Sequence, residues 1–410
     1  MISARAAARY NVRPLLNAPQ EGLRDAVVRL GAGVDELTKL ARFGSVEALA
    51  MQGLSAQQAQ VLAAVVRGGG GEVVLSADAA RAVVLAPLLT AGELGGTLSL
   101  RGGDLAELGD AISAVLMSRA VSPPPVQLRH HRLVFGERTL VMGIVNVTPD
   151  SFSGDGVGDD VSAAVALARR LADEGADIID IGGESTRPNS QAVSADEEVA
   201  RVLPVLRALD GALSVPLSID TRKAAVARAA IAAGACLVND VWGFRGDAEM
   251  AALVASEPEV GAVLMHNQHD TIYSDLAGDI CSGLRSSLAV AEDAGISPER
   301  LIIDPGFGFA KTPAHNLELV RRLGELRGIG RPILVGPSRK STIGILTGGA
   351  PPGERVEGGL ALAAMCVANG AHLVRTHDVA ETVRALRVAD AVVYGTPAAV
   401  QDLPIPGPTG

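Results

Sequence analysis

From residue 139 onward, short apolar runs alternate with longer segments of helical character. The short runs are continuously apolar, as expected for parallel strands that are covered by helices. Strands are predicted at 140–147, 177–181, 216–219, 236–241, 262–266, 301–304, 332–336 and 372–376. The helices that follow them are predicted at 161–174, 196–209, 223–233, 247–255, 276–294, 317–326, 356–368 and 379–389. Eight such units predict a (β/α)8 TIM barrel. A doubly wound open sheet is the second interpretation, although no Gly-x-Gly-x-x-Gly segment opens a helix.

Residues 1–122 show weaker signals of both kinds and predict a small α+β domain. Helices are predicted at 20–30, 55–66 and 104–117, and strands at 72–75 and 82–85. The run Pro123-Pro-Pro125 predicts a stiff linker. The predicted divisions are an accessory α+β domain at 1–122, a Pro-rich linker and barrel lead-in at 123–138, the barrel at 139–395 and a flexible tail at 396–410. Residues 1–122 contain no His and no acid–base cluster, so the sequence assigns this domain no role.

Composition narrows the class of protein. The chain has 410 residues, 48% of them hydrophobic and 20% charged, which predicts a globular protein with a large core. A net charge of −10 and an aromatic content of 2% argue against nucleic acid as a partner. No apolar run reaches the roughly 18 residues that span a bilayer, and the first residues lack the apolar segment of a signal peptide, so we expect a cytoplasmic protein. Three cysteines lie far apart and predict neither a zinc site nor a disulfide framework.

Polar residues follow every predicted strand, where the active site of a TIM barrel lies. They are Asn146, Asp180 with Glu184, Asp220, Asn239 with Asp240, Met265 with His266, Asp304, Ser338 with Arg339 and Lys340, and Arg375 with His377. Part of this set offers donors and acceptors for a flat polar heterocycle, namely Asp220, Asn239, Asp304 and Lys340. Another part offers donors for a polyanion and an oxygen ligand for a cation such as Mg²⁺, namely Arg339, Arg375, His377 and Asn146.

The segment Asp304-Pro-Gly-Phe-Gly-Phe309-Ala-Lys311 is the most informative of these strand ends. Gly306 and Gly308 permit close approach of the backbone to a ligand. Phe307 and Phe309 are expected to place flat apolar surface beside the Asp304 carboxylate. This carboxylate could then pair with the N–C–N edge of a fused heterocycle.

Seven segments, in order, resemble the signatures of the dihydropteroate synthase family. They are Gly143–Ser153, Gly182–Pro188, Ser218-Ile-Asp-Thr221, Val238-Asn-Asp240, Asp304–Lys311, Gly336–Ser341 and Arg375-Thr-His-Asp378. The resemblance covers residues 139–391. It departs from the commonest pattern at Ser153-Gly-Asp155, where the acidic residue is displaced by one, and at Asn267, where a second Met is more usual.

The resemblance implies a transferase of folate biosynthesis that condenses 6-hydroxymethyl-7,8-dihydropterin diphosphate with 4-aminobenzoate. It implies that the pterin is held by Asp220, Asn239, Asp304 and Lys340, with Met265 packed against it. It implies that Asn146 ligates Mg²⁺, that Arg375 and His377 grip the diphosphate, and that Thr186, Arg187 and Pro188 close over the aminobenzoate with Phe309 and Ser338. The residues of the chemical step would be Asp220, Asp304, Lys340 and Arg375. It also implies a homodimer and a target of sulfonamides, and how well these aminobenzoate mimics bind depends on the positions of the loops.

Two other functions stay open. A methyltetrahydrofolate:corrinoid methyltransferase would share the pterin pocket but would not need Arg375-x-His377 to bind diphosphate. A catalytically silent homologue could serve as a binding subunit, although Asn146, Asp220, Asp304, Lys340 and Arg375 are all present. Several residues also have structural interpretations. We expect Asp180 and Glu184 to be buried partners of Arg187 or of a backbone amide, and Arg222 and Lys223 to start a helix and face solvent.

Overall fold

The computed structural model of the protein describes residues 9–14, 46–120, 122–148, 160–184 and 193–395. The strands in these ranges are β1 (Arg13–Pro14), β2 (Val46–Gln52), β3 (Glu72–Leu75), β4 (Arg81–Pro87), β5 (Val126–Leu128), β6 (His131–Leu133), β7 (Leu140–Asn146), β8 (Ile178–Gly182), β9 (Leu217–Asp220), β10 (Leu237–Asp240), β11 (Gly261–Met265), β12 (Leu301–Asp304), β13 (Leu334–Val335) and β14 (Leu373–Thr376). The α-helices are α1 (Ala56–Gly68), α2 (Leu88–Ser99), α3 (Gly103–Ala120), α4 (Val161–Asp173), α5 (Ala195–Leu209), α6 (Ala224–Ala232), α7 (Met250–Ser256), α8 (Leu276–Asp293), α9 (Pro313–Arg322), α10 (Ser341–Leu346), α11 (Val356–Ala368) and α12 (Val379–Val393). No helix within the described residues is both long enough and apolar enough to cross a membrane.

Strands β7 to β14 form a parallel barrel, so the predicted TIM barrel is confirmed and the open sheet is wrong. In the described part of the chain the strands lie in the order β12-β11-β10-β9-β8-β7-β14-β13. A parallel bridge between Ile303 and Ile333 joins the two ends of this order. The barrel strands are almost entirely buried because side chains fill the interior and helices cover the outside. The chain also contains α10, which the sequence did not predict.

A hairpin closes the floor of the barrel within the segment that we predicted as a linker. Strands β5 and β6 pair antiparallel, and their apolar residues enter the same core cluster as the inward-facing residues of the barrel strands. Val126 and Leu128 are fully buried, and a Cβ at Gly261 would lie 2.5 Å from Leu128 Cδ2. The hairpin is therefore part of the barrel core, at the end opposite to the polar strand ends.

The N-terminal domain has a core of its own, built from an antiparallel sheet and helices α1 to α3. Its described strands lie in the order β1-β2-β4-β3. The predicted elements that lie in the described residues are present, whereas the helix predicted at 20–30 lies outside them. We did not predict β2 or α2. Helix α2 contains Gly95, and glycine has a low intrinsic helix propensity. A Cβ at this position would lie only 2.8 Å from Gly109 O on α3, so a larger residue would not fit. Close packing of α2 on α3 thus explains the glycine.

Candidate active site

The carboxyl ends of the barrel strands bring the predicted polar residues into one mouth. The parallel register sets Asp220 beside both Gly182 and Asn239, and sets Asp304 beside Met265. Because each of these residues ends or nearly ends its strand, their side chains surround the same opening. A Cβ at Gly182 would lie 3.5 Å from Asp220 Cβ and 3.7 Å from Asn146 Oδ1, so glycine keeps the space between them open.

Arg375 occupies the centre of a charge cluster at this mouth. Its Nε donates to Asp180 Oδ2 at 2.6 Å, and its Nη2 donates to Asp220 Oδ2 at 2.7 Å. Asn239 Nδ2 also donates to Asp180 Oδ2, at 2.9 Å. Asp180 is fully buried, as expected, but its described partners are the side chains of Arg375 and Asn239 and not a backbone amide. Arg187, the partner that we expected, lies outside the described residues.

Burial raises the pKa values of the Asp220 and Asp304 carboxyls. The pKa of Asp220 rises to about 7 because burial disfavours its charge more strongly than the neighbouring Arg375 favours it. The pKa of Asp304 rises to about 6 because of burial, which the Gly306 amide and the charge of Lys340 oppose. Gly306 N donates to Asp304 Oδ1 at 2.7 Å. Both carboxyls therefore change charge near neutral pH.

The loop after β12 has a backbone that requires glycine. Gly306 has φ of +74° and Gly308 has φ of +79°, in the region that side chains rarely adopt. Phe309 is half-buried, and Lys340 Nζ lies 4.0 Å from the centroid of its ring. Phe307 is 2% exposed and packs in the core between strands and helices. Phe307 is therefore more buried than Phe309.

A second cluster links the ends of β7, β13 and β14. Ser338 Oγ and His377 Nδ1 are 3.1 Å apart, and Asn146 Nδ2 lies 3.5 Å from His377 Nε2. Arg339 has φ of +56°, and its Nε donates to Asp378 Oδ2 at 3.1 Å. This strained turn holds Ser338 and Lys340 at the mouth.

Lys311 is a residue of this site to which the sequence assigned no role. Lys311 is 9% exposed, and its Nζ lies 3.2 Å from Phe309 O and 3.4 Å from His266 Nδ1. Burial lowers the pKa of Lys311 to about 7, and burial together with Lys311 lowers the pKa of His266 to about 3. Its position at the end of the segment Asp304–Lys311 was the sequence signal that could have placed Lys311 at the site. His266 is thus a buried neutral side chain, and its backbone N donates to Asp304 O at 2.8 Å.

The loop after β8 is only partly described. Thr186, Arg187 and Pro188, which we predicted to cover the aminobenzoate, lie outside the described residues. Glu184 accepts from Val193 N at 3.2 Å and from Lys223 Nζ at 3.0 Å. The prediction that Lys223 faces solvent is wrong, because its side chain is 20% exposed and also pairs with the fully buried Glu198. The nearby buried carboxylates draw this lysine inward.

Comparison with known proteins identifies the family. Residues 142–377 match the family model described as pterin binding enzyme. A dihydropteroate synthase of Clostridium beijerinckii is 47% identical over 259 residues, covering 63% of this chain and 96% of that protein. The chain belongs to the dihydropteroate synthase family of pterin-binding enzymes. A Bacillus subtilis member of this family is 46% identical over 261 residues, covering 64% of this chain and 91% of that protein.

Solved structures of this family have the same barrel. A Burkholderia cenocepacia dihydropteroate synthase complexed with 7,8-dihydropteroate is 44% identical with a TM-score of 0.61, covering 66% of this chain and 97% of that one. A Xanthomonas albilineans dihydropteroate synthase with 4-aminobenzoic acid is 46% identical with a TM-score of 0.62, covering 69% and 100%. The predictions of family, of fold and of an enzyme of the transferase class are confirmed. The N-terminal domain precedes the residues that match the family model.

Proposed function

We propose that this protein condenses 6-hydroxymethyl-7,8-dihydropterin diphosphate with 4-aminobenzoate to give 7,8-dihydropteroate and diphosphate. One observation carries the proposal: the buried acceptor Asp304 lies in the same barrel mouth as the cations Lys340 and Arg375. The positive charges of both residues favour the ionised form of Asp304. A pterin needs the acceptor, and a diphosphate leaving group needs the cations. The names of the relatives support the same reaction.

Asp304, Asp220 and Asn239 would bind the pterin ring through its N–H groups. The Asn239 amide donates to Asp180, which leaves its Oδ1 as an acceptor for the ring. Lys340, stacked over Phe309, would donate to the ring carbonyl, and Met265, which is 3% exposed, would pack against the ring face. The charge of Asp304 would also stabilise positive charge that develops on the pterin.

The diphosphate would lie between Arg375 and His377, with Ser338 next to them. In the chemical step, the bond between the pterin CH₂ and the diphosphate oxygen breaks, and its electron pair leaves with the diphosphate. Donors aimed at that oxygen lower the barrier because they bind the developing charge. The arylamine nitrogen then forms the new C–N bond and loses a proton to solvent. No covalent intermediate with a side chain is required.

Asn146 and Asp220 offer oxygen donors that would hold a magnesium ion at the mouth. Asn146 Oδ1 and Asp220 Oδ2 both lie within 4 Å of the position of a Cβ at Gly182. Among the described residues, no group of three or more His, Cys, Asp and Glu could hold a metal alone. This matches Mg²⁺, which often takes one or two protein oxygens and otherwise waters and phosphates. When bound, the ion would neutralise charge on the diphosphate.

The first experiment is diphosphate release by the purified protein with Mg²⁺ and the pterin diphosphate, with and without 4-aminobenzoate. We expect release that depends on aminobenzoate and is matched by dihydropteroate formation. Tight pterin binding without release would contradict the proposal and favour the methyltransferase or the silent homologue.

We also propose a homodimer through the barrel helices that follow β13 and β14. Apolar side chains on α10 to α12 are exposed, and they are Ile345, Leu346, Met365, Val388 and Val392. Val392 is 81% exposed, which is unusual for a large apolar residue on a helix. Sedimentation should show a dimer that dissociates when Val392 is changed to Glu. A monomeric wild-type protein at micromolar concentration would contradict this.

A further inference from the structure

The N-terminal domain contacts the barrel through a buried polar joint formed by Asn11, Val12 and Arg285. Asn11 Nδ2 donates to Gly278 O at 2.8 Å, and Asn11 Oδ1 accepts from Arg285 Nη1 at 2.5 Å. Arg285 Nη2 donates to Val12 O at 2.6 Å. Arg285 is among the largest fully buried side chains of the described residues, and Asn11 is 3% exposed. Because a buried guanidinium is very costly when its partners are lost, this joint holds the two domains in one arrangement.

The segment that carries Asn11 is itself held firmly by the N-terminal domain. Tyr10 is fully buried, its hydroxyl donates to Asp104 O at 3.0 Å, and it accepts from Gln58 Nε2 at 2.7 Å. Asn11 has φ of +41°, a left-handed conformation that Asn tolerates better than most residues. The joint is therefore attached to the core of the domain, not to a loose terminus.

On the barrel side, the joint lies on α8, and another face of α8 packs against the active site. A Cβ at Gly283 would lie 2.5 Å from His266 Cδ2, so the helix backbone touches the imidazole. Ser287 reaches the turn after β10, where a Cβ at Gly243 would lie 2.7 Å from Ser287 Oγ and 2.9 Å from Met265 O. Movement of α8 would therefore move the end of β11.

The end of β11 is bonded to the pterin-site carboxyl residue. His266 N donates to Asp304 O at 2.8 Å, and Met265 pairs in register with Asp304. His266 Nδ1 also lies 3.4 Å from Lys311 Nζ. A continuous series of contacts thus runs from Asn11 through α8 and His266 to Asp304.

The chain after β12 provides a second contact with the N-terminal domain. Arg322, at the end of α9, pairs with Asp275 at 2.9 Å, directly before α8 begins. The following 3-10 helix, Leu323–Ile329, contacts β1 and α3, and a Cβ at Gly330 would lie 2.7 Å from Ser118 Oγ on α3. The domain therefore supports the helices that follow both β11 and β12.

We propose that the N-terminal domain braces the pterin side of the active site, with Asn11 and Arg285 as positioning residues. The brace keeps α8 seated against His266, and so keeps Met265 and Asp304 in place for the pterin. Ser338, which we expect at the aminobenzoate, follows β13 and lies outside this series of contacts, whereas Phe309 follows β12 together with Asp304. The kinetic part of this proposal depends on the proposed function, whereas its structural part does not.

The test compares Asn11→Gly with Arg9→Ala in the full-length protein. Glycine keeps the positive φ and removes the side-chain hydrogen bonds of Asn11 to Gln52, Gly278 and Arg285. Arg9 is a matched control because it is exposed and pairs with Asp104 and Glu107 inside the N-terminal domain. For Asn11→Gly we expect the KM for the pterin diphosphate to rise by about 5-fold or more, a typical coupling between distant sites. The KM for aminobenzoate and kcat should change less than the KM for the pterin diphosphate.

Hydrogen exchange supplies a readout that does not need activity. In the Asn11→Gly protein, the amides at 262–276 and 301–311 should exchange faster than in the wild type, whereas the amides at 140–146 should exchange at the wild-type rate. In the Arg9→Ala protein, all three segments should exchange at the wild-type rate. Arg285→Met should act like Asn11→Gly, and Arg285→Lys should restore part of the pterin affinity. The Asn11→Gly variant keeps the test valid if the changes at the more buried Arg285 prevent folding.

Each outcome decides between the alternatives. Wild-type kinetics and exchange in a folded Asn11→Gly protein would overturn the brace. A uniform increase in exchange with no selective change in pterin KM would also overturn it, because the joint would then serve stability alone. If the wild-type protein makes no dihydropteroate but Asn11→Gly exchanges faster at 262–276, the brace stands and the proposed function fails.

Discussion

The carboxyls of Asp180, Asp220 and Asp304 lie buried or half-buried around one barrel mouth, and Arg375 pairs with two of them. Burial without a ligand works against the ionised form of a carboxyl, so this arrangement lowers the stability of the ligand-free protein. The same groups are ready to bind N–H donors. At the residue scale, the same buried carboxyls lower the free energy of unfolding and provide the acceptors for a ligand. This dual role leads to two predictions.

The first prediction concerns Asp304→Asn. The pKa of Asp304 is raised in the folded protein from 3.8 to about 6. A carboxyl with a raised folded-state pKa stabilises the fold most below its unfolded pKa, and this contribution is lost as the pH rises from about 4 through about 6. We therefore expect Asp304→Asn to increase the free energy of unfolding at pH 8 by about 1–3 kcal/mol, and to increase it little at pH 4. Denaturant unfolding at both pH values measures this.

The same variant should lose pterin binding, because an amide cannot replace the carboxylate against an N–C–N edge. Asp173→Asn is the control, since Asp173 is exposed at the end of α4. A difference in unfolding free energy that is the same at pH 4 and pH 8 would show that Asp304 is not destabilised by its charge.

The second prediction concerns Arg375→Ala. The substitution removes the guanidinium from Asp180 and Asp220, which should reduce the free energy of unfolding by about 3–5 kcal/mol, as for other broken buried pairs. Turnover should fall by about 10²-fold or more because a donor to the leaving group is lost, while free pterin still binds. Steady-state kinetics and pterin titration measure these effects, with the exposed Arg170→Ala as control. Unchanged turnover would refute the diphosphate role.

At the scale of elements, the loop after β12 is shaped by backbone contacts as much as by φ. A Cβ at Gly306 would lie 2.2 Å from His266 O, a backbone atom that cannot move without disturbing β11. A Cβ at Gly308 would lie 2.9 Å from Lys340 Cδ, which belongs to a flexible side chain. The two glycines thus have different reasons to be glycine.

We therefore expect Gly306→Ala to be the more damaging of this matched pair. Gly306→Ala should cost about 3 kcal/mol or more, since it adds a backbone clash to a strained φ. Gly308→Ala should cost about 1–2 kcal/mol from the left-handed conformation alone, and should weaken pterin binding by displacing Lys340. Thermal unfolding and pterin titration compare them. Equal destabilisation by both substitutions would contradict this explanation.

At the scale of the whole molecule, the floor hairpin and the N-terminal domain serve the barrel in different ways. The hairpin of β5 and β6 supplies core side chains, whereas the N-terminal domain covers α8 and the 3-10 helix after α9. Both precede the barrel strands, so truncation can separate their effects.

Removal of residues 1–122 should leave a folded barrel that retains turnover with weaker pterin binding, because the predicted chemical residues all follow this segment. Removal of residues 1–138 should prevent stable folding, because the floor loses the buried Val126, Leu128, Leu133 and Phe135. Each large buried side chain contributes about 2–5 kcal/mol, and a domain is stable by only about 5–15 kcal/mol. Circular dichroism and sedimentation of both truncations measure this. A stable protein that starts at residue 139 would refute the floor role.

Much of the barrel could be predicted from sequence, because buried parallel strands are continuously apolar. The polar residues that follow each apolar run then mark the carboxyl ends of the strands. Asn146, Asp220, Asn239, Asp304 and Arg375 were found in this way. The short α10 and the two-residue β13 were not predicted in this form, because such short elements carry too little periodicity. The cytoplasmic location and the roles of Thr186, Arg187 and Pro188 stay predictions.

The sequence by itself determined the family, the barrel and the residues at its mouth, because these depend on local patterns and short motifs. Only the tertiary structure decided which of them pair. It joined Arg375 to Asp180 across 195 positions and Arg285 to Asn11 across 274. It also turned Phe307 into the core and Lys223 toward Glu184. Such contacts depend on the relative placement of distant elements, and no local pattern records the distance between two side chains that folding brings together.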